Sequence, residues 1–150
     1  MQIIIPNLWF NKNAEEAVNY YLSVFPNSKL ITTTYYPTEG LMDFQKDFAG
    51  KVLTIDFEVN GQVFTAINAG DEFKFTEAVS FLIYCKDQEE IDYYWNEFTK
   101  NGGEESVCGR CKDKYGMNRQ INPENMAELM NKPDAYGKLM NMKKIIISEF

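Results

Sequence analysis

Residues 14–25, AEEAVNYYLSVF, and residues 87–98, DQEEIDYYWNEF, are two versions of one helix. In the first, Val18, Tyr21, Leu22 and Phe25 fall at i, i+3, i+4 and i+7, the single apolar stripe of an amphipathic helix. Adding 73 to each number gives Ile91, Tyr94, Trp95 and Phe98, the same stripe in register. Both stretches also carry an acidic pair, Glu15-Glu16 and Glu89-Glu90, and a Tyr-Tyr pair at 20–21 and 93–94.

The flanking segments repeat as well. An apolar strand precedes each helix, Ile3–Phe10 and Val79–Lys86, with Asn11-Lys12-Asn13 and Asp87 as the helix starts. Pro26-Asn27 ends the first helix, Lys29–Tyr36 has strand chemistry, and Pro37–Gly50 reads as a long mobile loop. Lys51–Val59 and Gln62–Asn68 then form a hairpin across Asn60-Gly61, the strongest short-range hairpin signal. In the second half, Gly102-Gly103 ends the helix Gln88–Lys100. Short strands follow around Glu105–Cys108 and Arg110–Lys112, then a turn at Asp113–Gly116 and a strand Met117–Asn122. The expected fold is α+β: two tandem β-α-β-β-β modules, about 2–69 and about 78–123, in a single domain of 150 residues.

Residues 124–150 lie outside the repeat as a C-terminal helical extension. Helices are expected at Asn125–Asn131 and Asp134–Lys143, with a strand-like Lys144–Ser148. Four of the seven methionines, 126, 130, 140 and 142, fall here. Methionine fills irregular packing gaps, and a dimer contact or a lid over a ligand remain the other readings.

Composition excludes several function classes. Fifteen basic against twenty-two acidic side chains give a net charge of −7, which disfavours nucleic acid and anionic membrane surfaces. No apolar run has the length of a membrane span, and the start, MQIIIPNLWF, has no signal-peptide features. Three cysteines without an export signal point to the cytoplasm. There is no histidine, so the commonest general base and the commonest metal ligand are both missing.

The segments PNLWFNKNAEEAVNYYLSVFPNSK, VNGQVFTAINAGDEFKFTEAVSF, KDKYGMNRQINP and MNMKKI, in this order, resemble the PhnB-like branch of the vicinal oxygen chelate superfamily. That superfamily includes glyoxalases, ring-cleaving dioxygenases and antibiotic-resistance proteins, and its PhnB-like branch is often labelled demethylubiquinone methyltransferase. The resemblance implies that the two modules curl their mixed sheet into a cupped cavity, which in enzymatic members holds a divalent metal. It implies ligand positions at Pro6, near Ala78 and at Gln120, where metal-binding members carry glutamate. Proline and alanine offer no donor and glutamine is a weak, neutral one, so no metal and no cofactor are expected. Glu77, beside the second position, is one carboxylate and does not hold a metal alone. Arg110 and Arg119 stand where the commoner pattern has tryptophan. Proteins of this superfamily commonly pair, so a homodimer is expected.

Alternation locates the candidate binding surface. Pairing across Asn60-Gly61 aligns Phe57 with Phe64, Ile55 with Ala66 and Leu53 with Asn68, a mainly apolar face that should pack beneath the helices. The opposite face presents Val52, Thr54, Asp56, Val63, Thr65 and Ile67, of mixed polarity, as a pocket wall or a solvated sheet would. Asn118, Gln120 and Asn122 share a face opposite Met117 and Ile121. The candidate ligand-binding residues are therefore Thr54, Asp56, Thr65, Ile67, Glu77, Asn118 and Gln120.

Other chemistry fits less well. Cys108-Gly-Arg-Cys111 has zinc half-site spacing, but a third cysteine without histidine does not complete the usual set, and Gly109 separates two strands where a redox motif would open a helix. Neither strand-to-helix junction carries the glycine-rich turn of a Rossmann-type methyl-donor site. Acid–base work falls to Asp56, Glu77 or Asp71, if to any carboxylate. Trp9 and Trp95 read as core. Three functions stay open: metal-independent binding of a small organic molecule; a lyase, dioxygenase or methyltransferase-like enzyme acting on one; or a dimeric interaction module with a vestigial pocket.

Overall fold

The structure is a computed structural model and describes residues 2–150. The chain divides into two compact units, Met1–Lys74 and Phe75–Phe150.

In the first unit, strand β1 (Asn7–Asn11) leads into helix α1 (Ala14–Val24), followed by β2 (Ser28–Tyr35), β3 (Val52–Val59) and β4 (Gln62–Ala69). The sheet order is β1-β4-β3-β2, with β1 parallel to β4 and the other pairs antiparallel. Asn60 and Gly61 have φ of 49° and 84°, the paired positive values of a two-residue hairpin turn. The turn sets the register, and Phe57 pairs with Phe64 and Ile55 with Ala66 as the alternation requires. Ile55, Phe57 and Ala66 are buried with Val18 and Tyr21 of α1, and Tyr21 stacks on Phe57 at 6.3 Å. Leu22 of the expected stripe is only half-buried; Ala14, Ala17 and Val24 complete the buried face instead.

The second unit repeats this plan. It runs β5 (Ser80–Cys85), α2 (Gln88–Thr99), β6 (Glu104–Glu105), β7 (Arg110–Lys112) and β8 (Asn118–Pro123). The sheet order is β5-β8-β7-β6, again with the first pair parallel and the others antiparallel. Element order, strand order and the sense of every pairing thus recur, as the duplicated helix implies. Ile91, Tyr94, Trp95 and Phe98 are all buried, each worth about 1.5–3 kcal/mol for a large apolar side chain.

Four expectations need correction. The apolar run at the start is not strand: Ile3 and Ile4 are 93% and 79% exposed, and β1 begins only after Pro6. Proline has no N–H for the ladder, and Pro6 takes part through its carbonyl, which accepts from Thr65 N at 3.0 Å. The segment 37–50 is not all loop, because Asp43–Phe48 forms a 3-10 helix whose Phe48 stacks on Tyr36 at 5.0 Å. The strand expected around Glu105–Cys108 covers only Glu104–Glu105. Helix α1 starts after Asn11-Lys12-Asn13 as expected, though Asn13 makes no side-chain cap bond and Asn68 on β4 accepts from Ala14 N at 3.2 Å. Asp87 does cap α2, accepting from Glu90 N at 2.9 Å.

The fourth correction is in the C-terminal segment, where α3 (Met126–Leu129) and α4 (Ala135–Met140) are followed by no strand at 144–148. Residues 142–147 lie along the 107–109 loop and the start of α2. Cys108 N and Gly109 N donate to the carbonyls of Met142 and Lys143, both at 2.8 Å. Gln88 Nε2 donates to the Ile145 carbonyl while its Oε1 accepts from Ile147 N, at 3.0 and 2.9 Å. Backbone groups that would have laddered are spent on these bonds. Ile145 and Met142 are buried, and of the four tail methionines only Met140 is exposed. Leu129, Ala135, Met142 and Ile145 thus pack within the tail's own unit, while Tyr136 and Met140 stay exposed.

Candidate functional site

In the first unit, the face of the sheet turned away from α1 carries the expected mixed set. Thr54, Asp56, Thr65 and Ile67 are all half-buried on β3 and β4. Thr54 pairs with Ile67 and Asp56 with Thr65, so the four form two adjacent rows. Thr65 Oγ1 donates to Asp56 Oδ1 at 2.6 Å, and the Thr34 and Thr54 hydroxyls meet at 2.5 Å. Trp9 extends this face: it pairs with Ile67 from β1, its indole N–H donates to the Gly70 carbonyl at 3.0 Å, and Phe73 meets its ring edge-on at 4.8 Å. Only Trp95 is core. The signal for Trp9 was available, since Leu8 and Phe10 on either side are buried and strand side chains alternate.

In the second unit, the corresponding face is a polar cluster on an apolar row. Leu82, Gln120 and Arg110 lie directly beside one another on β5, β8 and β7. Ser80, Asn118 and Lys112 form the next row. Gln120 Nε2 donates to Ser80 Oγ at 2.8 Å, and Arg110 Nη2 donates to the same oxygen at 3.3 Å and to the Glu77 carbonyl at 3.4 Å. Asn118 is buried, with Nδ2 bonded to the Gly116 carbonyl, so it braces the turn beneath this row. Glu77 is exposed and its carboxylate meets Lys112 Nζ at 3.0 Å. The hydrogen bond from Lys112 holds the Glu77 carboxyl below the usual range, and the same bond raises Lys112. Glu77 is thus ionised at neutral pH and poorly matched to proton transfer there. Asp71 lies exposed on the bend after β4.

Arg119, the other arginine standing where the commoner pattern has tryptophan, is on the other side of β8. Its side chain is 6% exposed, packs over the Phe98 ring at 4.2 Å and meets the fully buried Asp113 carboxylate at 3.4 Å. Asp113 Oδ1 also accepts from Tyr115 N and Met117 N at 2.9 and 3.1 Å, which fixes the turn between β7 and β8. The alternation Met117-x-Arg119-x-Ile121 carried this placement, but a charged residue in a core stripe is legible only once its partner is known.

The metal positions implied by resemblance do not make a donor set. Pro6 contributes a carbonyl already in the ladder, Ala78 contributes no side-chain donor, and Gln120, whose Nε2 is bonded to Ser80, offers one neutral amide oxygen. Among the described residues no three Cys, Asp or Glu side chains converge. Cys111 is fully buried, and desolvation pushes its thiol up to about 12 against the pull of nearby Arg119. Cys108 donates instead to Met140 Sδ at 3.9 Å, so the pair is not assembled around a common centre.

The sequence pattern of the 3-demethylubiquinone-9 3-methyltransferase family matches residues 2–122. The chain belongs to this PhnB-like family. Among solved structures it is similar to a PhnB protein of Bacillus cereus described as a putative 3-demethylubiquinone-9 3-methyltransferase. Identity there is 30% over 81% of this chain and 99% of that one, with a TM-score of 0.69. A protein from Pseudomonas aeruginosa shares 18% identity over 83% of this chain and 98% of its own, at a TM-score of 0.66. The fosfomycin resistance protein FosX of Listeria monocytogenes, solved with manganese and sulfate, shares the fold at 12% identity and a TM-score of 0.56. The alignment covers 86% of this chain and 94% of FosX. No curated protein matches in sequence. The family, and with it the glyoxalase-type fold of paired modules, agrees with the resemblance read from the sequence.

Proposed function

We propose that this PhnB-like protein binds a small organic molecule without a tightly held divalent metal. The observation that carries the reading is the Ser80–Gln120–Arg110 cluster, polar groups joined to one another on a face that also presents exposed Leu82 and Tyr84. A few placed polar groups on an apolar wall are what a small-molecule site requires. The Thr65–Asp56 pair beside Ile67 and Trp9 offers the same combination in the first unit. The residues assigned to ligand contact are Thr54, Asp56, Thr65 and Ile67 in the first unit and Glu77 and Gln120 in the second, where buried Asn118 supports the row from the turn, each set argued from its own sheet.

Metal independence rests on the donor chemistry at Pro6, Ala78 and Gln120. The methyltransferase name carried by the family and by the Bacillus cereus relative has no support in a Rossmann-type site, because the junctions between β1 and α1 and between β5 and α2 contain no glycine. The protein is further proposed to pair as a homodimer; exposed Leu30, Ile31 and Tyr35 on the edge strand β2 give it apolar surface to cover. Among the described residues no helix is long and apolar enough to cross a membrane.

A thermal-shift screen of neutral and charged aromatic and alicyclic fragments tests the reading. Hits should lose affinity in Thr54→Leu, Gln120→Leu or both. Hits that bind both folded variants as tightly as wild type would place binding elsewhere.

A further inference from the structure

Resting on that small-molecule reading, we infer that the second-unit face selects an organic monoanion, a carboxylate on an apolar body, with Arg110 as the group that recognises it.

The charges on this face are unequal in their commitments. Lys112 is held between Glu77 and Glu104, at 3.0 and 3.8 Å. Arg110 donates to two neutral acceptors, the Ser80 hydroxyl and the Glu77 carbonyl, both at long range, and acts on the Glu77 carboxylate only through space, as the least of the influences on that group. A half-buried guanidinium bonded at 3.3–3.4 Å to neutral oxygens has its strongest interaction, a charge-assisted pair with a carboxylate, still to make. Ser80 Oγ accepts from both Gln120 and Arg110, which leaves its own proton to donate to the same incoming oxyanion. Leu82, 43% exposed, is in the same row as Gln120 and Arg110, and Tyr84, 62% exposed, follows two residues along β5. An apolar body attached to the anion therefore has a surface to cover.

Local neutrality sets the ligand's charge. Arg110 and Lys112 together match the charge of Glu77 and Glu104, so a monoanion is held by its direct bonds to Arg110 and Ser80, whereas a dianion brings a second negative charge that these four groups do not offset. The net charge of −7 over the whole chain opposes anions at long range, but salt screens it beyond about 8 Å at physiological ionic strength. The contact set decides. This replaces the neutral or cationic preference that the amides and hydroxyls alone would suggest.

The test is NMR titration of the full chain, ¹⁵N-labelled, with benzoate, benzamide and phenylphosphonate as probes. Benzoate should bind at least about tenfold more tightly than benzamide, the range of one charge-assisted bond, and shift the resonances of Ser80, Leu82, Arg110 and Gln120. Arg110→Gln should remove that advantage and leave benzamide binding within twofold. Ser80→Ala, which keeps the guanidinium, should weaken benzoate severalfold and serves if Arg110→Gln does not fold. Equal binding of benzoate and benzamide on this face would overturn the monoanion assignment while leaving the small-molecule reading in place. Tighter phenylphosphonate binding would overturn it too. Absence of shifts on either sheet face with every probe would overturn both.

Discussion

Replacing Asp113 by alanine should be among the most damaging single changes in the second unit. The carboxylate is fully buried and does three jobs: it faces Arg119 at 3.4 Å and accepts the backbone N–H groups of Tyr115 and Met117. Removing one partner of a buried ion pair costs about 3–5 kcal/mol, because the other charge stays desolvated. The contact of Arg119 with Phe98 is present with or without Asp113, so it does not enter the difference. The two orphaned N–H groups add about 1–3 kcal/mol each where water does not reach them. A loss of at least about 3 kcal/mol follows, a large part of the 5–15 kcal/mol typical of a whole domain. Asp113→Asn keeps an oxygen for both N–H groups and should lose less. Asp113→Ala combined with Arg119→Met should recover much of the loss, since an apolar replacement leaves no buried charge. Urea unfolding of the four proteins, compared at constant slope, measures this. An Asp113→Ala protein within about 1 kcal/mol of wild type, or a double variant less stable than the single one, would refute the reasoning.

Further predictions concern caps, cysteines and pH. Asp87→Ala should cost about 0.5–2 kcal/mol by removing the α2 cap, whereas Asn13→Ala should be near neutral because its buried Oδ1 has no partner; thermal melts compare them. A thiol reagent should label Cys108 alone in the native protein and all three cysteines after denaturation, because Cys85 and Cys111 are fully buried; native labelling of either would contradict the packing. Burial raises the thiols of Cys85 and Cys111 to about 12, so the folded protein keeps protons that the unfolded chain releases from about pH 9. Stability should therefore be complete below pH 9 and fall as pH rises from 9 towards 12, and Cys111→Ala should flatten that fall in pH-dependent urea titrations.

The fold was legible where local chemistry and periodicity act together. Asn60-Gly61 accepts only one hairpin geometry, so the pairing of Phe57 with Phe64 followed from the sequence. The repeated stripe fixed both helices for the same reason. What stayed hidden depends on neighbours distant in the chain. Asn68 supplies the side-chain cap of α1 from 54 residues away, which nothing in Asn11-Lys12-Asn13 announces. The apolar run Lys144–Ser148 has strand chemistry, yet Gln88 and the 107–109 loop bind its backbone singly. Gln120 was found by resemblance, but its bond to Ser80 and its row with Leu82 and Arg110 arise from the register of three strands, two of them brought together by a parallel crossover. Arg119 faces the core, and what makes a charge tolerable there shows only once Asp113 is seen buried beside it.

The central claim, a PhnB-like fold that binds an organic ligand without metal, is tested most directly by native mass spectrometry of freshly purified protein. It should show a homodimer without stoichiometric divalent metal and able to take up an organic acid such as benzoate. Stoichiometric zinc, nickel or manganese that survives dialysis and disappears in Gln120→Ala would contradict it.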